Sequence, residues 1–426
     1  MTKINLFVFA AHHLAGNIAA QRFKSLLKYL DPAKYRIFVF ARETPSAMTA
    51  TVAPPPGTDI TIFPLPGRCV GSESTATASL LALAAAFVRP LPFLLPEGRS
   101  HARPWFVHAL AEANRLCARK LAAGERCVVI GTYSPVDALV AAAALSSRHR
   151  IGCLQDFRDG LVFEPLGKPG WSRKVMRQLI EARVVAASHL VTSVSGPLVD
   201  DFQQRYPHKA TAILPNGYDP ADFAALDDDV VGSTRAATVL AREVPEDALL
   251  IGHFGRIGAS DGSASKSLDY LVDALNDSLE TDANRHLIFV GELTQGEQAT
   301  LRRANFPVSV LGPVERTLAL QLMKRCDKLL LLTGSRASCA TGKLFEYLAA
   351  GADIVCVSGV SNEATAILAR TGAGQTILTG AGVSGYEAVR DALSPHRSGA
   401  RHGIAAYSRV AQADMLDGWL SSMVQP

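Results

Sequence analysis

The chain has 426 residues, of which 43 are Lys or Arg, 39 are Asp or Glu and 48% are hydrophobic, for a formal net charge of +4. Such a length exceeds one ordinary core, so two domains are expected, and the composition excludes collagen-like, disordered and disulfide-stapled classes. Seven scattered cysteines, with no Cys-x-x-Cys or Cys/His cluster, predict reduced thiols in the cytoplasm and no metal centre. The charge is divided unevenly: residues 1–220 carry 25 Lys+Arg against 15 Asp+Glu, the remainder 18 against 24. A basic first half predicts contact with something anionic, either a membrane surface or a phosphorylated substrate, unless the imbalance is accidental surface charge. No nucleic-acid partner is expected.

The N-terminal stretch lacks the length and cleavage site of a signal peptide and alternates like a first buried strand over 4–10. A loop (11–16), a helix (17–30), strands near 36–41 and 59–63, a helix near 104–122 and a strand over 127–131 follow. The most hydrophobic run, Leu80 to Val88, ends at Arg89 and Pro90, short of the roughly 20 apolar residues that span a bilayer. Short apolar strands alternating with helices predict a parallel sheet covered on both faces. In such sheets ligands bind beyond the carboxyl ends of the strands. The loop after the first strand carries His12, His13, Gly16 and Asn17, which fit contact with a sugar or phosphate better than a metal, because no partner carboxylate is near.

After an apolar strand at 151–155 comes Asp156-Phe157-Arg158-Asp159, two carboxylates flanking a guanidinium. The trio could supply a general base or an acceptor-binding pair, or it could be a structural ion pair that caps the next element. A helix over 172–187 and strands near 189–195 and 212–215 follow, and the acidic, polar stretch 227–245 reads as a linker that closes a first domain of residues 1–220. A second series over 221–404 begins with the strand at 249–254, then Gly255-Arg256 and a Ser/Gly-rich loop, with Lys266 entering a helix. Glycines admit a phosphate to the backbone, and Arg256 and Lys266 supply charge. Strands are expected at 286–291, 308–312, 328–333, 353–358 and 374–378 with helices between them, and an amphipathic helix over 407–423 has Val410, Met415, Leu416, Trp419 and Leu420 as candidate apolar contacts.

The stretch Thr341 to Gly351 carries the densest chemistry. A helix opening after Thr341-Gly342 offers backbone N–H groups and a positive dipole end to an anion, and Lys343 adds a full charge. Glu346, one turn on, could accept hydrogen bonds from two neighbouring hydroxyls of a ribose. Alone, the two read instead as an exposed ion pair worth roughly 0.2–0.5 kcal/mol, and only context makes them more.

In this order, the Gly16 loop, Asp156-Phe-Arg158-Asp159, Leu214-Pro-Asn216-Gly217, Phe254-Gly255-Arg256 with Lys266, Val290-Gly291, Leu311-Gly312-Pro-Val314 and Gly342-Lys343-Leu-Phe-Glu346 resemble the GT-B glycosyltransferases. That fold has two Rossmann-like doubly wound domains facing across a cleft. The chain is most similar to the large bacterial group-1, retaining-type family that builds surface polysaccharides. The resemblance implies that Arg256 and Lys266 hold the donor diphosphate and that Glu346 binds the ribose. It also implies that the backbone near Val314 reads the base, that Gly16, Gly255, Gly342 and Lys343 belong to the donor site, and that the last helix (405–426) returns to the first domain. The donor would be a nucleoside diphosphate sugar, with no permanently bound cofactor or metal, and the acceptor a glycan or lipid-linked glycan. Asp156 or Asp159 would face the acceptor, together with His12, His13, Asn17 and Arg158.

One departure stands out. Many relatives carry a second glutamate eight positions before the ribose-binding one, and here that position is Ser338. Donor sugar and stereochemistry therefore stay open, with Asp156 preferred over Asp159 as base if the reaction inverts. The expected function is glycosyl transfer by a cytoplasmic enzyme peripheral to the membrane. A sugar-nucleotide epimerase and a catalytically silent nucleotide-sugar-binding scaffold are the alternatives.

Overall fold

The computed structural model describes residues 2–15, 18–43, 54–66, 102–165, 170–258, 262–277, 284–395 and 399–424. Gly16, Asn17, Cys69 and the run Leu80 to Val88 lie outside the described residues. The chain divides into two compact units, one of residues 1–215 with 409–426 and the other of 216–408.

The first unit is built on seven strands: β1 (Ile4–Phe9), β2 (Tyr35–Arg42), β3 (Ile60–Leu65), β4 (Arg126–Tyr133), β5 (Gly152–Phe157), β6 (Leu190–Ser193) and β7 (Thr211–Ile213). They pair in parallel in the order β3-β2-β1-β4-β5-β6-β7. Successive side chains of a strand point to opposite faces, and β1 shows the consequence. Phe7 and Phe9 stack with Phe40 on one face, among residues of α2 (Ala102–Ala122) and α3 (Val136–His149), whereas Leu6 and Val8 pack on the other. That second face is covered by α1 (Ile18–Leu27) and by the C-terminal helix Arg409–Ser422, whose Leu416 and Leu420 are fully buried. Of the apolar residues expected along this last helix, Val410 and Met415 are exposed instead. The helix α4 (Trp171–Ala186) and α5 (Gly196–Arg205) complete the unit.

The second unit opens on α6 (Pro220–Asp228) and α7 (Val230–Glu243), the second of which occupies the stretch 227–245 that the sequence predicted as a linker. Asp229, one of the aspartates that made 227–245 look solvated, is a helix cap that accepts from the N–H of Gly232, and Asp219, in the turn before, caps α6 by accepting from the N–H of Ala221, with Pro220 in the first turn. Leu226 and Ala236 then join the core beside Leu320 and Leu322. Six parallel strands follow: β8 (Leu249–Phe254), β9 (Arg285–Val290), β10 (Val308–Gly312), β11 (Lys328–Thr333), β12 (Asp353–Ser358) and β13 (Gly374–Leu378), in the order β10-β9-β8-β11-β12-β13. They alternate with α8 (Ser263–Asn276), α9 (Gln295–Leu301), α10 (Arg316–Arg325), α11 (Gly342–Ala350), α12 (Glu363–Thr371) and α13 (Tyr386–Ala392).

Each unit is thus a doubly wound Rossmann-like sheet. Strand order reverses beside β1 and β4 in the first unit and beside β8 and β11 in the second. The crevice beyond the carboxyl ends at such a switch point is where open α/β sheets bind ligands.

Candidate functional site

At the switch point of the second unit, β8 ends in His253 and Phe254 and turns through Gly255, whose φ of +79° suits a residue without Cβ. The amide of Gly255 donates to Val290 O at 2.7 Å, and that of Gly291 to Gly312 O at 2.8 Å, so the ends of β8, β9 and β10 are tied together. A Cβ on Gly291 would lie 2.9 Å from Gly255 Cα, which makes glycine necessary where these two backbones meet. The outcome is a strand-end turn in which Gly255 and Arg256 are exposed.

Opposite, α11 starts after Thr341, which is extended and leaves the first-turn N–H groups without a side-chain cap. The Lys343 side chain does not reach toward Glu346. It turns into the β8 loop, donating to Arg256 O at 2.6 Å and standing 3.3 Å from His253 Nε2. His253 is buried, and its Nδ1 lies 2.9 Å from Leu330 O, so the neutral ring donates there and accepts from the lysine. Burial lowers the Lys343 ammonium to about 8, and burial together with the nearby Lys343 charge holds His253 well below the usual imidazole range. Tyr347, on the buried side of α11, ties the helix to the same strand end, its hydroxyl oxygen accepting from the Phe254 amide at 2.8 Å.

Glu346 accepts from Arg316 at 2.6 Å, and Arg316 also reaches Asp222 at 2.9 Å. The alternative reading of Lys343 and Glu346 as an ion pair with each other therefore gives way to two separate attachments. Arg256 extends across the surface to Glu292 with its Nε 3.0 Å from the carboxylate. Lys266 is exposed on α8, and Val314 packs half-buried against the core. Of the predicted donor-side residues, then, Gly255, Arg256, Gly342 and Lys343 come together, Glu346 stands one turn along the same helix, and Lys266 stands exposed on α8.

Three residues here carry no motif in the sequence: His253, Arg316 and Glu297. Glu297 is 2% exposed and accepts from Gly258 N at 3.0 Å, Ser265 Oγ at 2.9 Å and Thr294 N at 2.8 Å. Burial raises its carboxyl, but these donors outweigh burial and hold it below the ordinary glutamate range. It joins the loop after β8 to the start of α8. The Ser335 to Thr341 segment is anchored similarly, its Ala337 and Cys339 carbonyls accepting from the first-turn amides of Glu363 and Ala364 at 2.9 Å each. Ser338 within it is 3% exposed, so the position faces protein in this chain.

The first unit places Asp156 differently from the expectation. Its side chain is 0% exposed and is gripped by Arg22, with Nη2 to Oδ1 at 2.8 Å and Nε to Oδ2 at 3.3 Å. Thr132 and Thr192 each donate to it at 3.1 Å. Arg22 spends its other donors on the carbonyls of Leu214 and Pro215 at 2.7 and 2.8 Å. A carboxylate so enclosed holds α1, β4, β5, β6 and the end of β7 together, and its oxygens are not presented to a hydroxyl from outside. The assignment of Asp156 as acceptor-side base is corrected on this ground. Asp159 is partly exposed and pairs with Arg158 at 3.0 Å.

Above this pair, at the switch point, a cavity of roughly 270 Å³ including its open mouth is lined by His12, His13, Thr132, Tyr133, Ser134 and Arg158 among others. His12, His13 and Arg158 thus line one cavity. Among the described residues, no group of three or more His, Cys, Asp or Glu side chains is gathered as metal ligands would be, and no helix is long and apolar enough to cross a membrane.

No family model and no curated protein matches the sequence. Solved structures do match in fold. The chain is similar to sucrose-phosphate synthase from Thermosynechococcus elongatus at TM-score 0.62 and 12% identity, covering 99% of each chain. It is similar to a glycosyltransferase from Rickettsia africae at TM-score 0.60 and 10% identity over 100% of both. A third similar structure is the UDP-GlcNAc 2-epimerase from Methanocaldococcus jannaschii, at TM-score 0.54 and 10% identity over 99% of both. At these identities the likeness is one of fold, and the fold is the two-domain α/β GT-B arrangement of Rossmann-like units.

Proposed function

We propose that the protein is a glycosyltransferase that moves a sugar from a nucleoside diphosphate sugar to a glycan or lipid-linked acceptor. The observation that carries this reading is the turn of Lys343 beneath the Gly255-Arg256 backbone at the switch point of the second unit, beside the uncapped start of α11. A diphosphate set there meets an ammonium, backbone amides and a helix dipole end, which together stabilise the charge that develops on the leaving group. Glu346, already oriented by Arg316, is suited to accept the ribose hydroxyls. The acceptor-side groups are His12, His13, Arg158 and Asp159. Asp159, being partly exposed, takes the place of Asp156 as the carboxylate able to meet an acceptor. A screen of nucleotide sugars for binding and for acceptor-dependent release of the nucleoside diphosphate tests the proposal.

The fold likeness to an epimerase favours a second reading, change of the donor sugar itself, in which turnover would need no acceptor.

A membrane-peripheral location is part of the same reading. On the exposed face of α4, Trp171 is 81% and Leu179 49% exposed, and Lys174 and Arg183 stand one turn from them. Exposed apolar side chains between cations complement an anionic bilayer surface.

A further inference from the structure

We propose that Arg336 reads an acidic group on the transferred sugar, so that the donor is a nucleoside diphosphate uronic acid rather than a neutral hexose. The inference rests on the glycosyl-transfer reading and deepens it by naming the class of donor.

The order of groups along the second unit sets the place. With the ribose on Glu346 and the diphosphate beside Lys343 in the first turn of α11, the sugar lies past the start of that helix, where residues 334–341 lead in from β11. The strands β8 and β11 are paired neighbours, and their helices pack on opposite faces, α8 with Leu330 and Leu332 and α11 with Leu329 and Leu331. The loops that follow the two strands therefore part over the switch point and form its walls. They touch where the Ser335 amide donates to Ser263 Oγ at 3.0 Å, and Arg336 is the next residue.

The segment is fixed through its main chain. Ala337 and Cys339 carbonyls accept from the first-turn amides of α12 at 2.9 Å each, the Ala340 carbonyl accepts from Asn216 Nδ2 at 3.1 Å, and the Cys339 amide donates to Arg336 O at 3.2 Å. Two of its side-chain atoms, Arg336 Nε and Thr341 Oγ1, are enclosed with no hydrogen-bond partner among the described residues. The guanidinium also forms no ion pair among the described residues, and the sequence from Lys328 to Phe345 contains no Asp or Glu. Arg205 and Arg316, by contrast, each bridge two carboxylates. An enclosed donor without compensation on a rigid segment points to a partner supplied from outside the chain.

Charge decides the class of that partner. Lys343 and Arg256 match the two charges of a diphosphate, since the pair of Arg256 with Glu292 is exposed and easily exchanged. Arg336 is a third cation. Neutral sugar hydroxyls call on acceptors as well as donors, but this segment has no carboxylate and spends the carbonyls of Arg336, Ala337, Cys339 and Ala340 on the protein. A sugar carboxylate, which only accepts, takes paired N–H bonds from the planar guanidinium, and the Thr341 hydroxyl adds a further donor.

Calorimetry of the whole protein tests the inference with donors that differ only at C6: the glucuronosyl and glucosyl esters of uridine, guanosine, adenosine and thymidine diphosphate, beside the free diphosphates. In the series that binds, the uronate should be at least about tenfold tighter than the neutral sugar. Arg336→Gln should abolish that preference and leave the free diphosphate within about twofold, and Arg336→Lys should keep part of the preference. Thermal melts of both variants should match the unaltered protein. Equal or tighter binding of the neutral sugar by the unaltered protein overturns the inference. So does a loss in Arg336→Gln that is equal for uronate, neutral sugar and free diphosphate, which would assign the guanidinium to the diphosphate. Either result leaves nucleotide-sugar binding, and the glycosyl-transfer reading with it, in place. Failure of every nucleotide to bind removes both.

Discussion

The ammonium of Lys343 lies 2.6 Å from the backbone oxygen of Arg256, so the cation of α11 is stored beneath the loop that follows β8 rather than spread on the helix surface. This contact links the two sides of the switch point in the second unit. It also explains why the lysine is easily discharged: burial brings it to about 8, from an ordinary 10.5.

Donor binding should therefore be pH-dependent in a defined direction. Lys343 is charged below about 8 and neutral above it, so affinity for a nucleoside diphosphate should fall as pH rises from 7 to 9. For stability the sign is opposite. The unfolded chain holds this proton more tightly, so the folded state is penalised below about 8, and the penalty fades as pH rises toward 10.5. Lys343→Met should raise the melting temperature at pH 7 while abolishing the pH dependence of nucleotide affinity, as thermal melts and calorimetry would show. An unchanged pH profile in the variant would contradict the assignment.

Asp156 behaves in this account as a buried ion-pair partner. Asp156→Asn leaves Arg22 enclosed without its counter-charge, and breaking such a pair costs about 3–5 kcal/mol. Denaturant unfolding should show that loss, and the joint replacement of Arg22 by Met and Asp156 by Leu should recover part of it. A variant that unfolds normally but transfers no sugar would return Asp156 to the chemistry.

Glu297 holds the loop after β8 through Gly258 and Ser265. Glu297→Ala leaves these buried donors without an acceptor, at about 1–3 kcal/mol each by the usual penalty for an unsatisfied group. Hydrogen exchange at 255–258 and 263–266 should accelerate, with donor affinity reduced although Glu297 is not placed against the donor. Unchanged exchange there would show that the loop is held by other means.

The exposed face of α4 predicts vesicle binding that weakens with salt. Trp171→Ala and Lys174→Glu should each reduce co-sedimentation with phosphatidylglycerol vesicles, and neither should alter nucleotide affinity. Equal binding to phosphatidylcholine would argue against charge complementarity.

Most strands, and the helices of the second unit from α8 onward, were legible because each is a short apolar run with a turn signal at its end. The helix α3 was not, since Val136 to Ser146 is buried on every side and carries no amphipathic period. The cap Asp229 was hidden inside what looked like an acidic linker. Candidate site residues were legible where the motif is local, as at Gly342, Lys343 and Glu346. Partnerships between distant positions were not: nothing in the sequence joins Arg22 to Asp156, Lys343 to His253, or Glu346 to Arg316, because these contacts depend on which strands become neighbours.

The central claim is that the second unit binds a nucleoside diphosphate sugar through α11. Calorimetry of the whole protein against a panel of uridine, guanosine, adenosine and thymidine diphosphate sugars tests it, with the Glu346→Ala protein titrated beside it. The account predicts that at least one nucleotide sugar binds, and that Glu346→Ala weakens it tenfold or more without a fall in melting temperature. Binding of equal strength in the variant, or no binding of any nucleotide sugar by the unaltered protein, would contradict it.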